Sequence, residues 1–241
     1  MPIYTPGKLT LRKDYIPLDA SYSSVSLLLH GDGPDGSTVI IDNSPTPKQA
    51  TIVSGAQIRT AQSKFGGSSI FPAGFGSAVQ FPAGTAFQYG TGDFTIEAWV
   101  YILSFIPSGS VIFSQSVSGT NYFVFGVGAS GSIIFTGTAS GGGTSILGPS
   151  NISLNTWAHI AACRESGIVR VFVNGISGTP TSNSTNFSDT TRLPTVGNYS
   201  HAFATVYTEG YIDELRITKG IARYQSTFTP PTAPFPDRTD G

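Results

Sequence analysis

From residue 25 onward, this sequence is a succession of short apolar runs, each bounded by glycine, proline, asparagine or serine. Within the runs, apolar and polar residues alternate as in a strand with one face in a core, and a helical period is nearly absent. The pattern predicts an all-β protein. The clearest predicted strands cover residues 93–103, 110–115, 122–127, 132–136, 157–164, 168–174 and 211–218.

The alternation also predicts how these strands pack. One face of the strand at 93–103 is apolar, and two antiparallel sheets stacked face to face would bury such faces. We therefore expect a two-sheet antiparallel β-sandwich, with Trp99 and Trp157 packed in its core. Glycine- and serine-rich segments at 116–131 and 138–153 are typical of loops that bind. The apolar face consists of Phe94, Ile96, Ala98, Val100 and Ile102.

Local turn signals refine this picture. Residues 157–173 have the pattern of a hairpin that turns at 165–167, and Asn174-Gly175 predicts a second tight turn. A short piece at 220–224 is a helix candidate.

Composition narrows the organisation and the partners. The 241 residues suit one large β domain, here assigned to 23–236, with an N-terminal arm at 1–22 and a tail at 237–241. A net charge of −1 offers no basic field for nucleic acid or an anionic membrane. The single cysteine excludes an internal disulfide framework. Because the N-terminal stretch lacks an apolar segment, we expect no signal peptide and synthesis in a cytoplasm.

The closing strand carries an unusual acidic residue. Strict alternation places Tyr211, Asp213, Leu215 and Ile217 on one face, and Ile212, Glu214 and Arg216 on the other. Asp213 would then share the more apolar face. A buried carboxylate needs a cation, backbone donors or water beside it.

Several local motifs together resemble a known family, the laminin-G-like, concanavalin A-like jelly rolls found in bacterial and bacteriophage surface proteins. The resemblance spans about residues 25–236 and implies a two-sheet jelly roll that binds carbohydrate, protein or calcium, or simply packs. The motifs are Leu27-Leu-Leu-His-Gly-Asp-Gly33, Ile41-Asp-Asn-Ser-Pro45, the segments at 62–69 and 90–100, Trp157-Ala-His-Ile-Ala161, Val171-Phe-Val-Asn-Gly175, and 211–224 with its Phe-Thr-Pro-Pro ending.

The resemblance implies a structural calcium ion. Some relatives hold one between an early Asp-Asn-Ser segment and the late aspartate, so the implied ligands here are Asp213, Asp42, Asn43 and Asp32. Calcium takes six to eight oxygen ligands, and it would neutralise an inward Asp213. In the alternative, Asp213 accepts backbone N–H bonds and Asp42 forms an Asx turn.

Catalysis is not expected. Glucanases of this fold need paired carboxylates, and their Glu-x-Asp-x-x-Glu strand pattern is absent. The histidines show neither metal spacing nor a nearby nucleophile motif. The four glutamates are Glu97, Glu165, Glu209 and Glu214.

Sugar binding would use exposed aromatic rings with polar neighbours, and the tyrosines, including Tyr122, are available for it. The segment 199–211, which carries aromatic residues and no charge from Tyr199 to Tyr207, suits a weak lectin site or a subunit contact. Its predicted ligand-binding residues are Tyr199, Phe203, Tyr207 and Tyr211.

Two functional hypotheses follow. The first is a non-enzymatic bacteriophage virion protein, in capsid or tail, whose arm at 1–22 attaches it to other virion proteins or to sister copies in a homo-oligomer. The second is a carbohydrate-binding adhesin module that recognises a host glycan. The two are compatible if the virion protein touches the host surface.

Overall fold

The computed structural model describes residues 18–118, 121–138, 145–188, 191–199 and 206–238, and within them the protein is almost entirely β-structure. The seven predicted strands are all confirmed. A strand at 145–151 occupies a segment predicted to be a loop. The described strands are β1 Val25–Leu29, β2 Thr51–Val53, β3 Gln57–Arg59, β4 Ser69–Phe71, β5 Ala78–Gln80, β6 Phe94–Ile102, β7 Ser110–Ser118, β8 Asn121–Val127, β9 Ser132–Thr138, β10 Ser145–Asn151, β11 Trp157–Glu165, β12 Ile168–Val173, β13 Ile176–Ser177, β14 Thr181–Ser182, β15 Thr195–Val196 and β16 Gly210–Lys219.

The described strands form two antiparallel sheets stacked as a sandwich, which confirms the predicted jelly-roll architecture. The larger sheet has the order β13-β12-β11-β6-β16-β4-β3, with β1 paired to β16 and β14 paired to β12. The smaller sheet has the order β10-β9-β8-β7-β15-β5-β2. Consequently β10 and the β13/β14 pair lie at sheet edges.

Helix is confined to two short 3₁₀ turns, Tyr22–Ser24 and Thr85–Phe87, so no helix among the described residues is long enough to cross a membrane. The helix candidate at 220–224 was wrong, because that segment runs without helical hydrogen bonds over the larger sheet. The predicted turns are confirmed: Ser166 and Gly167 join β11 to β12 with positive φ, and Asn174-Gly175 follows β12 likewise.

The core lies between the inner faces of the sheets. All five apolar residues of the predicted β6 face belong to it. The rings of Phe94, Phe123 and Phe135 contact one another with centroids 5.0–5.5 Å apart. Burying each such ring contributes about 1.5–3 kcal/mol. The two tryptophans, by contrast, are absent from this core: Trp99 is buried on the outer face and Trp157 is half-buried.

A β-bulge in β16 overturns the predicted alternation of the closing strand. Glu214 has φ 51°, and the register with β6 shifts between Asp213 and Arg216. The extra residue moves the pattern by one position, so Ile212 and Leu215 both enter the core while the two acidic residues do not. Asp213 and Glu214 therefore both lie away from the core face that carries Leu215, so the predicted assignment of these three residues to faces was wrong.

The outer face of the larger sheet is covered by the closing segment of the chain, residues 220–238. Tyr224 and Phe228 stack at 3.5 Å and pack on Phe172 of β12. Further along, the Phe235 ring lies 3.8 Å from the Arg216 guanidinium carbon.

A buried charged network lies beneath this segment. Arg216 donates to Glu97 Oε1 through Nε and Nη2, at 2.9 and 2.7 Å, and to Asp19 at 3.2 Å. Tyr224 donates to Glu97 Oε2, and His159 Nε2 lies 3.2 Å from the same oxygen. Burial acts to raise the pKa of Glu97, but the Arg216 charge and the His159 bond outweigh it and hold that pKa at about 2.

Candidate functional site

A groove of 330 Å³ lies on the outer face of the smaller sheet, on the side away from the core. Strands β7, β8 and β9 form its floor, and residues before β7, at the start of β10 and on both sides of segment 200–205 form its rim. The lining residues are Ser108, Gly109, Ser110, Val111, Tyr122, Val124, Gly126, Val127, Ile134, Thr136, Ser145, Tyr199 and Val206.

The period of β8 decides which of its side chains reach the groove. Phe123 and Phe125 point into the core, so Tyr122, Val124 and Gly126 face outward. Gly126 has a steric reason to be glycine, since a Cβ at that position would overlap the Ser110 carbonyl oxygen of the neighbouring strand. Backbone atoms, rather than a side chain, therefore form the middle of the floor.

Beside β8, strand β9 presents an apolar and a polar residue to the groove, Ile134 and Thr136. They lie opposite Gly126 and Val124 in the antiparallel register. Thr136 in turn lies opposite Ser145 of β10, with the two hydroxyl oxygens 3.0 Å apart.

The groove combines aromatic rings, hydroxyl groups and aliphatic side chains, and none of its described lining residues is charged. Tyr122 and Tyr199 supply the rings, while Thr136 and Ser145 supply hydroxyls that both donate and accept. Such a surface suits a neutral ligand with one apolar face and several hydroxyl groups.

The acidic residues around the β16 bulge form a separate region. Asp213 Oδ2 accepts the backbone N–H groups of Lys64 and Phe65 at 2.7 and 3.1 Å, whereas its buried Oδ1 has no partner in the structure. Burial raises the pKa of Asp213 to about 7, and the negative charges of Glu214 and Asp32 act in the same direction. The two backbone hydrogen bonds act to lower this pKa but do not offset the effect of burial.

Glu214 itself is well partnered. Its Oε1 lies 2.8 Å from His30 Nδ1, and its Oε2 accepts the Phe235 backbone N–H at 2.7 Å. Burial acts to lower the pKa of His30, but the bond and charge of Glu214 raise it overall.

Of the other predicted calcium ligands, Asp42 is committed to protein donors. Its oxygens accept from the backbones of Leu28, Ser44 and Lys48 at 2.8–3.1 Å and from the Ser44 hydroxyl at 2.9 Å. These bonds include the Asx turn that was the alternative prediction for Asp42. They would have to break for Asp42 to bind an ion.

Asp32 and Asn43 line a small cavity of 110 Å³ together with His30. A Cβ on Gly66 would overlap the Asp32 carboxylate, so this carboxylate lies directly against the 62–69 loop. Among the described residues, no three His, Cys, Asp or Glu side chains converge as metal ligands do.

Comparison with known proteins identifies the family. Residues 73–223, more than half of the chain, match the concanavalin A-like lectin/glucanases superfamily, laminin-G type. The chain belongs to this superfamily. A comparison with curated protein sequences finds no match.

Solved structures share the superfamily fold at low sequence identity. The binding domain of Paraclostridial Mosquitocidal Protein 1 has a TM-score of 0.63 and 13% identity, covering 83% of this chain and 50% of that one. Domain 4 of AbnA, a GH43 extracellular arabinanase from Geobacillus stearothermophilus solved with arabinotriose, has a TM-score of 0.62 and 18% identity, covering 83% and 94%. The binding domain of Botulinum neurotoxin DC, solved with rat synaptotagmin II, has a TM-score of 0.60 and 14% identity, covering 84% and 50%. The chain thus spans about half the length of the toxin chains.

The superfamily fold separates the predicted ligand-binding aromatics. Tyr199 lines the groove, whereas Tyr207 packs against Phe75 with centroids 6.0 Å apart. Tyr211 lies on the larger sheet, 5.2 Å from the Phe71 ring, and Phe203 is outside the described residues.

The hydroxyl residues of the groove were missed in the sequence, although a signal for them exists. Thr136 and Ser145 alternate with core residues in strands that also contain glycine. Polar residues at the outward positions of neighbouring strands indicate a face that is not packed in the core.

Proposed function

We propose that this protein is a non-catalytic binding module that takes a neutral glycan in the groove of the smaller sheet. The observation that carries the proposal is the groove's composition: Tyr122 and Tyr199 beside the hydroxyls of Thr136 and Ser145, with no charge in the described lining. A sugar ring stacks its C–H face on an aromatic ring and exchanges hydrogen bonds with hydroxyl groups.

The structural neighbours support a binding role for this fold. The arabinanase domain was solved with arabinotriose, and for another neighbour, botulinum neurotoxin type C, cell entry depends upon interaction with two ganglioside molecules. These ligands belong to those proteins. They support the proposal that this module recognises a glycan or a receptor surface.

The surroundings of the glutamates support the non-catalytic part of the proposal. Glu97 is buried in ion pairs, Glu214 is bonded to His30, and Glu165 lies 3.4 Å from Arg170. A glycosidase requires two carboxyl groups about 5–9.5 Å apart across the scissile bond. The described groove lining has none.

The test is direct binding of neutral oligosaccharides, first on a glycan array and then by titration calorimetry. We expect Tyr122→Ala to weaken binding at least about tenfold, equivalent to ~1.4 kcal/mol. Tyr122→Phe keeps the ring and should retain most of the affinity. Tyr101→Ala, on the opposite sheet, is the matched control and should bind as the parent does. An array without any bound neutral glycan would contradict the proposal.

A virion role is a second proposal, and the resemblance to surface proteins of bacteriophages motivates it. Residues 1–17 of the predicted arm lie outside the described residues, whereas Asp19 and Tyr22 contact the domain. A deletion should therefore stop at residue 17. We expect it to leave the domain folded and to abolish association with particles or sister copies, measured by co-sedimentation and light scattering. Unchanged association would contradict the proposed role of the arm in attachment.

Calcium also remains a proposal. Because Asp42 is occupied by protein donors, the groups available to a bound ion would be Asp213 Oδ1 and the Asp32 carboxylate, with water completing the shell. Calorimetry with calcium chloride, using Asp213→Asn as the control, tests this proposal, and equal heats for both proteins would contradict it.

A further inference from the structure

A second groove, of 470 Å³, lies at one edge of the sandwich. It runs between β10, the edge strand of the smaller sheet, and the β13/β14 edge of the larger sheet. Its lining residues are Ser145, Ile146, Leu147, Gly148, Pro149, Ser177, Gly178, Thr179 and Thr181.

Two glycines let the sheet edges approach each other closely enough to form this groove. A Cβ on Gly178 would lie 2.8 Å from the Leu147 carbonyl oxygen and 3.0 Å from that of Val171. A Cβ on Gly148 would lie 2.9 Å from a Val173 methyl carbon. Larger residues at either position would force the edges apart, so the groove depends on the specific residues that line it.

The second groove shares hydroxyl groups and the absence of charge with the first, but no aromatic ring is among its described lining residues. The hydroxyls of Ser145, Ser177, Thr179 and Thr181 line it, and its described residues include no charged side chain. An edge strand such as β10 also presents backbone N–H and C=O groups that its own sheet does not pair. Hydroxyl groups of a ligand can bond to both sets.

The two grooves meet at Ser145, which lines both. Its hydroxyl contacts Thr136 of the first groove, and two residues further along β10 the Leu147 side chain, 52% exposed, forms part of the second. A path therefore runs from the face of the smaller sheet across β10 to the edge of the larger sheet.

We infer that the second groove is an additional glycan subsite, and that the module holds an extended stretch of a neutral polysaccharide rather than a single terminal sugar. This inference rests on the proposed function of the first groove. Both volumes fall within the ~300–1,000 Å³ typical of small-molecule sites, so each groove accommodates a short part of the chain.

The dependence of affinity on the number of sugar units in the ligand distinguishes one subsite from two. A ligand confined to the first groove gains little when more sugar units are added. A ligand that crosses Ser145 into the second groove gains hydrogen bonds with each added unit until both grooves are filled. Affinity should then rise on the order of tenfold from the dimer to the hexamer.

The experiment is calorimetry on the full chain with arabinose, xylose and glucose oligomers, from dimer to hexamer. The double variant Thr179→Ala/Thr181→Ala removes two hydroxyls from the second groove alone. Thr38→Ala, an exposed threonine elsewhere, is the matched control. We expect the double variant to bind the dimer as the parent does and to lose most of the gain with length, while the control retains it. Unchanged unfolding midpoints would show that all three proteins are folded.

The outcomes distinguish the inference from the proposal on which it rests. If dimers bind through Tyr122 but affinity does not rise with length, the second subsite is wrong and the proposed function stands. If the gain persists in the double variant, the added units bind elsewhere, and the inference also fails. If no oligomer binds, both the proposed function and the second subsite are contradicted.

Discussion

The outer faces of the two sheets differ in what covers them and in the side chains they carry. On the larger sheet, the chain's own closing segment lies over the ion pair of Glu97 and Arg216 and over His159, whose Nε2 is 3.2 Å from Glu97 Oε2. On the smaller sheet, strands β7–β9 present tyrosines, hydroxyls and aliphatic groups around an open groove without charge in its described lining. One face is closed by the protein itself, and the other is available to a ligand.

This difference has a thermodynamic basis. A charge that is buried without a partner destabilises a fold strongly, so a buried acidic group either pairs with a cation, as Glu97 does, or has a raised pKa, as Asp213 has. An open face needs no such pairing, and neutral hydroxyls lose little when they exchange water for a ligand. Substitutions should therefore reduce stability on the larger sheet and binding on the smaller one.

The largest effect is expected for Arg216→Met. It leaves Glu97 buried without its cation, and breaking such a pair costs about 3–5 kcal/mol. The more exposed pair of Arg170 and Glu165 is the control, since Arg170→Met should cost about 1 kcal/mol or less. Urea unfolding measures both. Equal losses would show that burial beneath the closing segment does not raise the cost of breaking an ion pair.

The second prediction concerns the closing segment. Phe235 is 3% exposed and its ring packs on the Arg216 guanidinium group, so Phe235→Ala should destabilise the fold by about 3 kcal/mol. Phe75, 66% exposed, is the matched aromatic control and should change stability within about 0.5 kcal/mol on truncation to alanine. A small loss of stability for Phe235→Ala would show that the closing segment contributes little to the free energy of unfolding.

The third prediction is a pH dependence at the bulge. With a folded-state pKa of about 7, above its ordinary value, Asp213 contributes stability that is complete in acid and lost as the pH rises through 7. Asparagine can still accept the Lys64 and Phe65 N–H bonds without charge. Asp213→Asn should therefore gain on the order of 2 kcal/mol relative to the parent between pH 5 and pH 8. Unfolding midpoints at the two pH values measure this gain.

Two results would change the interpretation of that experiment. A constant difference between parent and variant at both pH values would show that Asp213 is not titrating. A gain by the parent alone when calcium chloride is added at pH 8 would instead favour the calcium proposal, because an ion would stabilise the charged carboxylate.

The smallest effect on stability is expected in the groove. Tyr122 is half-buried and outside the core, so Tyr122→Ala should lower the free energy of unfolding by about 1 kcal/mol or less, even though it weakens ligand binding at least about tenfold. Thermal unfolding of parent and variant checks this. A loss of stability as large as that of Phe235→Ala would show that Tyr122 is needed for packing of the fold rather than for binding a ligand.

Much of the fold could be predicted because strand alternation is a local property. The inner face of β6, the hairpin at Ser166-Gly167 and the turn at Asn174-Gly175 all follow from neighbouring residues. The bulge at Glu214 could not be predicted from alternation, since one residue with positive φ shifts every residue after it. Strand β10 was missed because glycine, serine and proline within it resemble loop composition.

The candidate site was harder to predict because it is assembled across strands. Tyr199 is half-buried and lines the groove, but the strand residues that share the groove with it lie 54 or more positions earlier in the chain, counting back to Ser145. Their proximity is set by strand order and register, which depend on long-range pairing. Sequence alone indicates candidate residues, and the fold decides which of them share a surface.

The glycine at position 126 limits how this module can change. Because the Ser110 carbonyl oxygen occupies the space that any side chain would need, the centre of the groove floor is fixed by backbone rather than by side chains. Altered ligand preference, through natural divergence or engineering, must then come from the surrounding positions such as Tyr122, Val124 and Thr136. The groove floor has a constant centre surrounded by positions that can vary, an arrangement well suited to a library that varies those surrounding positions alone.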